Sequence, residues 1–233
     1  MNTCNDLQIT KFEHDTVLIH QESSNITVVF DPFQVQGALR TQKRADVIFI
    51  THDHFDHFSP KDIHSLTTRE TIFVFPASIL DKLQTFLDVP EDRLVPVVPL
   101  EEYVLTVKGS HVKAMAVPAY NIDKKSPQGN LYHPKEKEFV GFLIELNGTS
   151  VYFVGDSDPI PEMDVLVGMV DVLVIPVSGL YVMTVEEAIQ VTQKLQPRWA
   201  MPVHYGSVVG DVTLGERFLQ EIQQIAPDTE VIL

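Results

Sequence analysis

Residues 46–60 read DVIFITHDHFDHFSP, and this stretch indicates both the fold and the chemistry of the chain. Residues 46–50 form a continuous apolar run, which is typical of a strand buried on both faces of a sheet. Residues 52–57 then contain three histidines and two aspartates. Ser59 followed by Pro60 offers an N-cap and a proline at the first position of a short helix. The stretch therefore predicts a buried strand whose end carries a cluster of polar side chains.

The polar cluster has the composition of a metal site. The whole chain has nine histidines in 233 residues, so three within six positions is far above an even spread. Imidazole and carboxylate together suit Zn²⁺, Mn²⁺ or Fe. In extended backbone the side chains at i and i+2 point the same way, so His52 and His54 can bind one ion. After a turn, Asp56 and His57 can face a second ion. The alternative is a solvated polar loop before a helix.

Two later strands end in the same manner. Residues 151–156 (VYFVGD) end in Asp156, and residues 199–206 (WAMPVHYG) contain His204 after the apolar run. Taken alone, Asp156 can equally cap a turn, and His204 can be a core or surface histidine. Together with the first cluster, both become candidate metal ligands.

The rest of the chain alternates short strands with a few helices. The Asn147-Gly148 dipeptide predicts a hairpin, and Thr184 with Glu187 forms a capping box at the start of a helix. Strands are predicted over residues 7–12, 15–21, 26–30, 46–50, 71–75, 94–98, 103–107, 111–117, 139–146, 149–154, 171–175, 198–203 and 229–233. Helices are predicted from Pro60, over 77–87, after Thr184 and over 213–225. We expect one domain over residues 1–233, of class α+β, with two packed sheets, helices on the outer faces and two similar halves.

Charge and cysteine content exclude several classes of protein. The net charge is −15, with 17 Lys and Arg against 32 Asp and Glu, which argues against nucleic-acid binding and against a basic membrane-surface protein. The apolar runs fall far short of the ~20 residues of a membrane helix, and the N-terminus lacks a signal-like pattern, so we expect a cytoplasmic protein. The single cysteine, Cys4, excludes an internal disulfide and thiolate metal clusters.

These motifs resemble the metallo-β-lactamase superfamily. The residues from His52 to His57 match its HxHxDH signature, and Gly155-Asp156 and His204 match its later ligands in order. The stretches VGDSDPIPEM (154–163) and PVHYG (202–206) look like the ascorbate-6-phosphate-lactonase-like hydrolases of that superfamily. The resemblance implies an αββα four-layer sandwich, the metallo-β-lactamase fold.

The resemblance also implies a ligand set and two divalent metal ions. Zn²⁺ is the expected metal, and Mn²⁺ or Fe remain alternatives. The first ion would be held by His52 and His54, and the second by Asp56, His57 and His204, with Asp156 bridging the two.

One position departs from the superfamily pattern. A further histidine normally serves the first metal at the end of a middle strand, and here Asn121 ends the corresponding stretch 112–121 (VKAMAVPAYN). Asparagine offers a carbonyl oxygen, which is a poorer zinc ligand than imidazole. His133 in the following loop could bind instead. If neither binds, the protein holds one metal or a harder ion.

The predicted chemistry is hydrolysis by a metal-activated hydroxide that attacks a carbonyl carbon or a phosphorus. Asp56 is the predicted catalytic residue, because it can bind metal, orient the nucleophile and pass a proton to the leaving group. Asp31, at the end of strand 26–30, could orient a ligand histidine or could simply belong to a turn before Pro32. His14, His20 and His111 are expected to be exposed.

Loop 119–137 is predicted to overhang the site and to set the substrate. It carries four lysines against Asp123 and Glu136, a net charge of +2, which hints at an anionic small molecule. The candidate substrate-binding residues are Tyr120, Asn121, Lys124, His133 and Tyr181. The leading hypothesis is a hydrolase of a small ester, lactone or phosphoester. The alternatives are a phosphodiesterase or nuclease, and a metal-binding protein that retains the fold without turnover.

Overall fold

The computed structural model describes residues 2–35 and 44–233, which form two seven-stranded sheets. The first sheet consists of β1 (Asn2–Cys4), β2 (Leu7–Lys11), β3 (Val17–Gln21), β4 (Ile26–Phe30), β5 (Val47–Phe49), β6 (Ile72–Pro76) and β7 (Leu94–Val97). The second consists of β8 (Glu102–Val107), β9 (Ser110–Pro118), β10 (Val140–Leu146), β11 (Thr149–Phe153), β12 (Val172–Pro176), β13 (Trp199–Val203) and β14 (Glu230–Val231). In each sheet the strands lie side by side in chain order.

The two sheets repeat one topology. The first four strands of each, β1–β4 and β8–β11, are antiparallel to their neighbours, and the pairs that follow are parallel. Antiparallel strands need only short turns, whereas parallel strands need crossovers, and these crossovers supply the helices. The predicted organisation in two similar halves is therefore confirmed.

Four helices cover the sheets in the described part of the chain: α1 (Pro60–Leu66), α2 (Leu80–Phe86), α3 (Val185–Leu195) and α4 (Thr213–Ile225). Ser59 caps α1 with its side chain, and Pro60 opens the helix. Thr184 and Glu187 form the predicted capping box of α3. The helix predicted over 77–87 is a 3₁₀ turn, Ala77–Ile79, followed by α2, and further 3₁₀ turns span Glu91–Arg93, Lys135–Lys137 and Pro161–Leu166.

The core has three apolar layers, which separate four layers of secondary structure. Between the sheets, Phe30 stacks on Phe153 with ring centroids 4.6 Å apart, and Phe49 lies 4.8 Å from Phe142. A second cluster joins the first sheet to α1 and α2, and a third joins the second sheet to α3 and α4. This arrangement confirms the αββα sandwich, because each sheet buries one face on the other sheet and one on helices.

The fold gathers several chain segments at one edge of the sandwich. The parallel strands β4 and β5 end there, and so do β11, β12 and β13 of the second sheet. The turn between β2 and β3 lies at the same edge, because Val17 at the start of β3 pairs with Phe30 at the end of β4. The strand predicted over 15–21 begins only at Val17, so residues 14–16 belong to that turn.

No helix within residues 2–35 and 44–233 combines the length and apolar character needed to cross a membrane.

Candidate metal centre

The first group of candidate ligands joins the motif to the loop after β9. Nε2 of His52 lies 3.1 Å from Nδ1 of His54, and Nε2 of His133 lies 3.2 Å from that same atom. Oδ2 of Asp156 lies 3.1 Å from Nε2 of His133 and 3.8 Å from Nε2 of His52. Three imidazoles and one carboxylate therefore point at one small volume.

The second group lies on the other side of Asp156. Nε2 of His57 is 3.3 Å from Oδ1 of Asp156, and Nε2 of His204 is 3.2 Å from Oδ2. Asp156 thus stands between the two groups of imidazoles, in the position of a bridging ligand. Asp56 lies at the same edge, where its Oδ2 is 3.2 Å from Nε2 of His14.

Hydrogen bonds behind the imidazoles determine which nitrogen atoms face the centre. Nδ1 of His57 lies 2.8 Å from Oδ2 of Asp31, and Nδ1 of His52 lies 2.9 Å from Oγ1 of Thr51. Nδ1 of His204 likewise lies 3.0 Å from Oγ of Ser178. Each Nδ1–H can donate to its oxygen, which leaves Nε2 unprotonated and free for a metal.

Asp31 organises two of these histidines from a fully buried position. It accepts hydrogen bonds from the backbone amide and hydroxyl of Thr51, at 2.8 and 2.6 Å, in addition to its contact with His57. The Thr51 hydroxyl that donates to Asp31 can in turn accept from His52. Of the two alternatives for Asp31, the structure contains the contact with a histidine of the motif.

Backbone conformation at the strand ends aims the side chains inward. Asp31 and His204 have φ of 42° and 60°, in the left-handed region that non-glycine residues rarely adopt. Gly155 has φ of 68°, and a Cβ there would lie 3.2 Å from Cβ of Thr51, so glycine suits the position before Asp156. Strained backbone of this kind clusters at functional sites, where the surrounding structure maintains it.

Burial and mutual charge shift the pKa values of the group. Burial lowers the pKa of His52 and of His54, and neighbouring imidazoles lower both further, so both rings favour the neutral form that binds metal. Burial by itself would raise the pKa of Asp156, but the imidazoles of His204 and His57 hold it well below its usual range. Burial would lower the pKa of His57, yet the carboxylates of Asp156 and Asp31 raise it well above its ordinary value.

The donor set fits divalent cations. Nε2 of His57, Nε2 of His204 and Oδ1 of Asp156 are buried without a hydrogen-bond partner. Buried polar atoms of native proteins almost always have a hydrogen-bond partner. Buried polar atoms that face one another without one therefore indicate a ligand that binds between them. A cation between imidazole nitrogens and carboxylate oxygens satisfies all of them.

Asn121 and His133 form one unit. Oδ1 of Asn121 accepts from the backbone amide of His133 at 2.9 Å and lies 3.0 Å from its Nδ1. Nδ2 of Asn121 donates to the carbonyl of Tyr181 at 2.9 Å. The histidine ring thus faces the centre, and the asparagine lies behind it.

The remaining candidates for substrate binding make contacts within the protein. Nζ of Lys124 lies 3.0 Å from Glu187 and 3.3 Å from Asp158, so its charge is balanced. The hydroxyl of Tyr120 donates to Glu162 at 2.9 Å. Tyr181 is half-buried and meets Tyr132 edge to face, with centroids 4.6 Å apart.

Sequence reasoning missed two residues of the β2–β3 turn. His14 and Asp15 are each 1% exposed and lie against His57 and His204. The expectation that His14 and His20 are exposed is wrong, whereas His111 is exposed as expected. The β2–β3 hairpin could have indicated their position. Because β3 pairs with β4, the turn before β3 must lie at the edge where Asp31 follows β4.

Comparison with known proteins identifies the family. Residues 8–204 match the model of the beta-lactamase superfamily domain, so the chain belongs to the β-lactamase superfamily of metal-binding proteins.

Individual relatives are distant but span nearly the whole chain. A UPF0173 metal-dependent hydrolase of Archaeoglobus fulgidus is 24% identical over 235 residues, which cover 97% of this chain and 95% of the relative. The solved structure of a protein from Parabacteroides distasonis, named as a metal-dependent hydrolase, is 27% identical, with a TM-score of 0.77 and coverage of 97% and 91%. Igni18, a metallo hydrolase of Ignicoccus hospitalis, is 20% identical, with a TM-score of 0.74 and coverage of 97% and 94%, and shares the fold.

Proposed function

We propose that the protein is a metal-dependent hydrolase with a dinuclear centre that acts on a small ester or lactone. The observation that carries the proposal is the pair of imidazole groups on either side of Asp156, with their free nitrogen atoms turned toward one another. Relatives that span nearly the whole chain are named metal-dependent hydrolases, which supports the same reaction class.

The proposal assigns each group of ligands to one ion. The first ion would be held by His52, His54 and His133, a nitrogen-rich set that favours Zn²⁺. The second would be held by Asp56, His57 and His204, with Asp156 shared between the ions. Two such cations make a hydroxide available near neutral pH and stabilise the negative charge that develops on the attacked group.

Asp56 is the proposed catalytic residue. Its carboxylate lies beside His14, and its side chain keeps 13% of its surface exposed at the edge of the centre. Burial would raise its pKa, but contact with His14 and the charge of His57 lower it, which keeps the carboxylate ionised. In that form it can accept a proton from the nucleophile and later return it to the leaving group.

The charges around the centre favour an uncharged ester or lactone over a phosphodiester. Two of the four lysines of loop 119–137, Lys124 and Lys135, are paired with Glu187 and Glu162, so neither of these two offers a free charge to a phosphate. The chain as a whole carries −15, which opposes binding of a polyanion. We therefore assign the substrate to small neutral carboxylic esters, including cyclic ones.

The test combines metal content with turnover. The metal-free protein is reconstituted with Zn²⁺, Mn²⁺ or Fe²⁺ and assayed on panels of neutral esters, lactones and phosphodiesters. The His54→Ala/His204→Ala double variant should lose bound metal and hydrolysis, whereas His111→Ala removes an exposed histidine of β9 and should change neither.

Three results contradict the proposal. Full metal content in the double variant would remove the assigned centre. Two bound ions with no turnover on any panel would favour a metal-binding protein without catalysis, and turnover confined to phosphodiesters would reassign the substrate.

A further inference from the structure

Asp15 is a buried carboxylate without a hydrogen bond. It lies in the turn between β2 and β3 and is 1% exposed, and neither of its oxygens has a partner among the described residues. Its Oδ2 lies 3.5 Å from Nε2 of His57 and 3.8 Å from Nε2 of His204. These two nitrogen atoms are the ones that also face Asp156.

Two other buried carboxylates near this edge are satisfied by donors. Asp31 accepts from the amide and hydroxyl of Thr51, and Asp158 accepts from the backbone amides of Ile122 and Asp123. Asp15 has no comparable donor, although an ionised carboxylate away from water requires a cation or hydrogen bonds. Within residues 2–35 and 44–233, the groups nearest to it are imidazole nitrogens: Nε2 of His57 and of His204, which the proposed centre uses as ligands, and Nε2 of His14 at 3.6 Å.

The turn holds Asp15 in this place. The hydroxyl of Thr16 donates to the carbonyl of Asp31 at 2.8 Å, and the amide of Phe33 donates back to that hydroxyl at 2.8 Å. The carbonyl of His14 accepts from the amide of His204 at 3.4 Å. Hydrogen bonds on both sides of Asp15 therefore tie the turn to two strand ends of the centre.

We propose that Asp15 is a direct ligand of the second metal ion, together with Asp56, Asp156, His57 and His204. The inference rests on the proposed dinuclear centre and extends its ligand set by a residue outside the HxHxDH motif. Three carboxylates and two imidazoles make an oxygen-rich site, whereas the first group has three imidazoles and one carboxylate. Oxygen-rich sites of higher coordination number favour Mn²⁺ or Fe²⁺ over Zn²⁺. The two positions therefore differ in metal preference.

A role without metal contact makes a different prediction. If Asp15 only balances the charge of protonated His57 and His204, its replacement leaves the number of bound ions unchanged. Loss of an outer partner typically weakens metal binding by about 10–100-fold. Loss of a direct ligand should remove the second ion at concentrations that saturate the wild type.

The test is a titration of the metal-free protein with Mn²⁺, in which electron paramagnetic resonance counts the free ion. Wild type should bind two ions, and the isosteric Asp15→Asn variant should bind one. Asp171→Asn is the control, because Asp171 accepts from Ser150 at the opposite end of the second sheet, and it should bind two. Circular dichroism verifies the fold of each variant.

The readout separates this inference from the proposed function. Two ions bound by Asp15→Asn, at either wild-type or weakened affinity, would overturn the inference while leaving the dinuclear centre in place. No ions bound by wild type would overturn the centre itself. A crystal structure of the Mn²⁺-loaded wild type tests the same point without a variant. Contact between an Asp15 oxygen and the ion supports the inference, and an intervening water overturns it.

Discussion

Replacing Asn121 with alanine should weaken metal binding at the first position, although it changes none of the proposed ligands. The amide oxygen of Asn121 accepts from the backbone amide of His133 and lies 3.0 Å from its Nδ1. Both residues are almost completely buried, so water cannot take over these hydrogen bonds. Without the amide, the His133 ring loses both its orientation and the acceptor that places its proton on Nδ1.

The size of the effect follows from these contacts. Each buried donor left without a partner costs about 1–3 kcal/mol, and two donors of His133 lose their acceptor, so Asn121→Ala should lower the free energy of unfolding of the metal-free protein by about 2–6 kcal/mol. Removal of an outer partner of a metal-binding histidine typically weakens metal binding by about 10–100-fold. At about 1.4 kcal/mol per tenfold, that is about 1.4–2.8 kcal/mol of binding free energy at one of the two positions.

The assay is isothermal titration of metal-free protein with Zn²⁺, combined with urea unfolding. Asn5→Ala is the control: it loses a hydrogen bond to Thr149 and replaces an asparagine whose φ is 53°, so it should lower stability without changing metal affinity. If Asn121→Ala binds both ions with wild-type affinity, His133 is not held for the metal by Asn121, and the assignment of the first group is refuted.

Three further predictions concern the strand ends and the core. Asp31→Asn should lower the free energy of unfolding in urea by about 3–5 kcal/mol, because a buried pair with His57 is broken, and unchanged stability would contradict this role. In the metal-free protein, Asp156 and Asp31 raise the pKa of His57 against the effect of burial. The charged form of His57 therefore stabilises the metal-free fold. This stabilisation is complete below the pKa of His57 in the unfolded chain and is lost as the pH rises through its pKa in the folded protein. The increase in Tm on adding Zn²⁺ should therefore grow with pH, and an increase that does not depend on pH would contradict this. Gly141→Ala places a Cβ 2.3 Å from the carbonyl oxygen of Val154 and should destabilise the protein by about 3 kcal/mol, measured by thermal unfolding.

Elements that depend on local sequence could be predicted closely. The strand over 26–30 and the helix over 213–225 have the predicted bounds, since apolar periodicity and turn residues lie within each segment. The caps at Ser59 and Thr184 depend on residues three positions apart and were equally accessible. The HxHxDH cluster is likewise a single short stretch, which is why its chemistry could be recognised.

Contacts between distant segments could not be predicted in the same way. Asp15 reaches the centre because β3 pairs with β4, and a strand predicted from residue 15 conceals the turn. Lys124 contributes to a positive loop in the sequence, yet its partner Glu187 lies 63 positions away on α3. His133 faces the centre and Asn121 lies behind it because their side chains are hydrogen-bonded to each other, and the spacing of these residues in the sequence does not predict that hydrogen bond.

The centre also links metal binding to stability. Five histidines (His14, His52, His57, His133 and His204) and several carboxylates, among them Asp15 and Asp156, are buried at one edge of the sandwich, and several of their polar atoms lack partners among the described residues. Burial of such groups without a cation opposes folding. A ligand that binds only the folded state adds stability in proportion to the logarithm of its concentration. Metal binding should therefore stabilise the strand ends of the centre and the β2–β3 turn more than the rest of the fold.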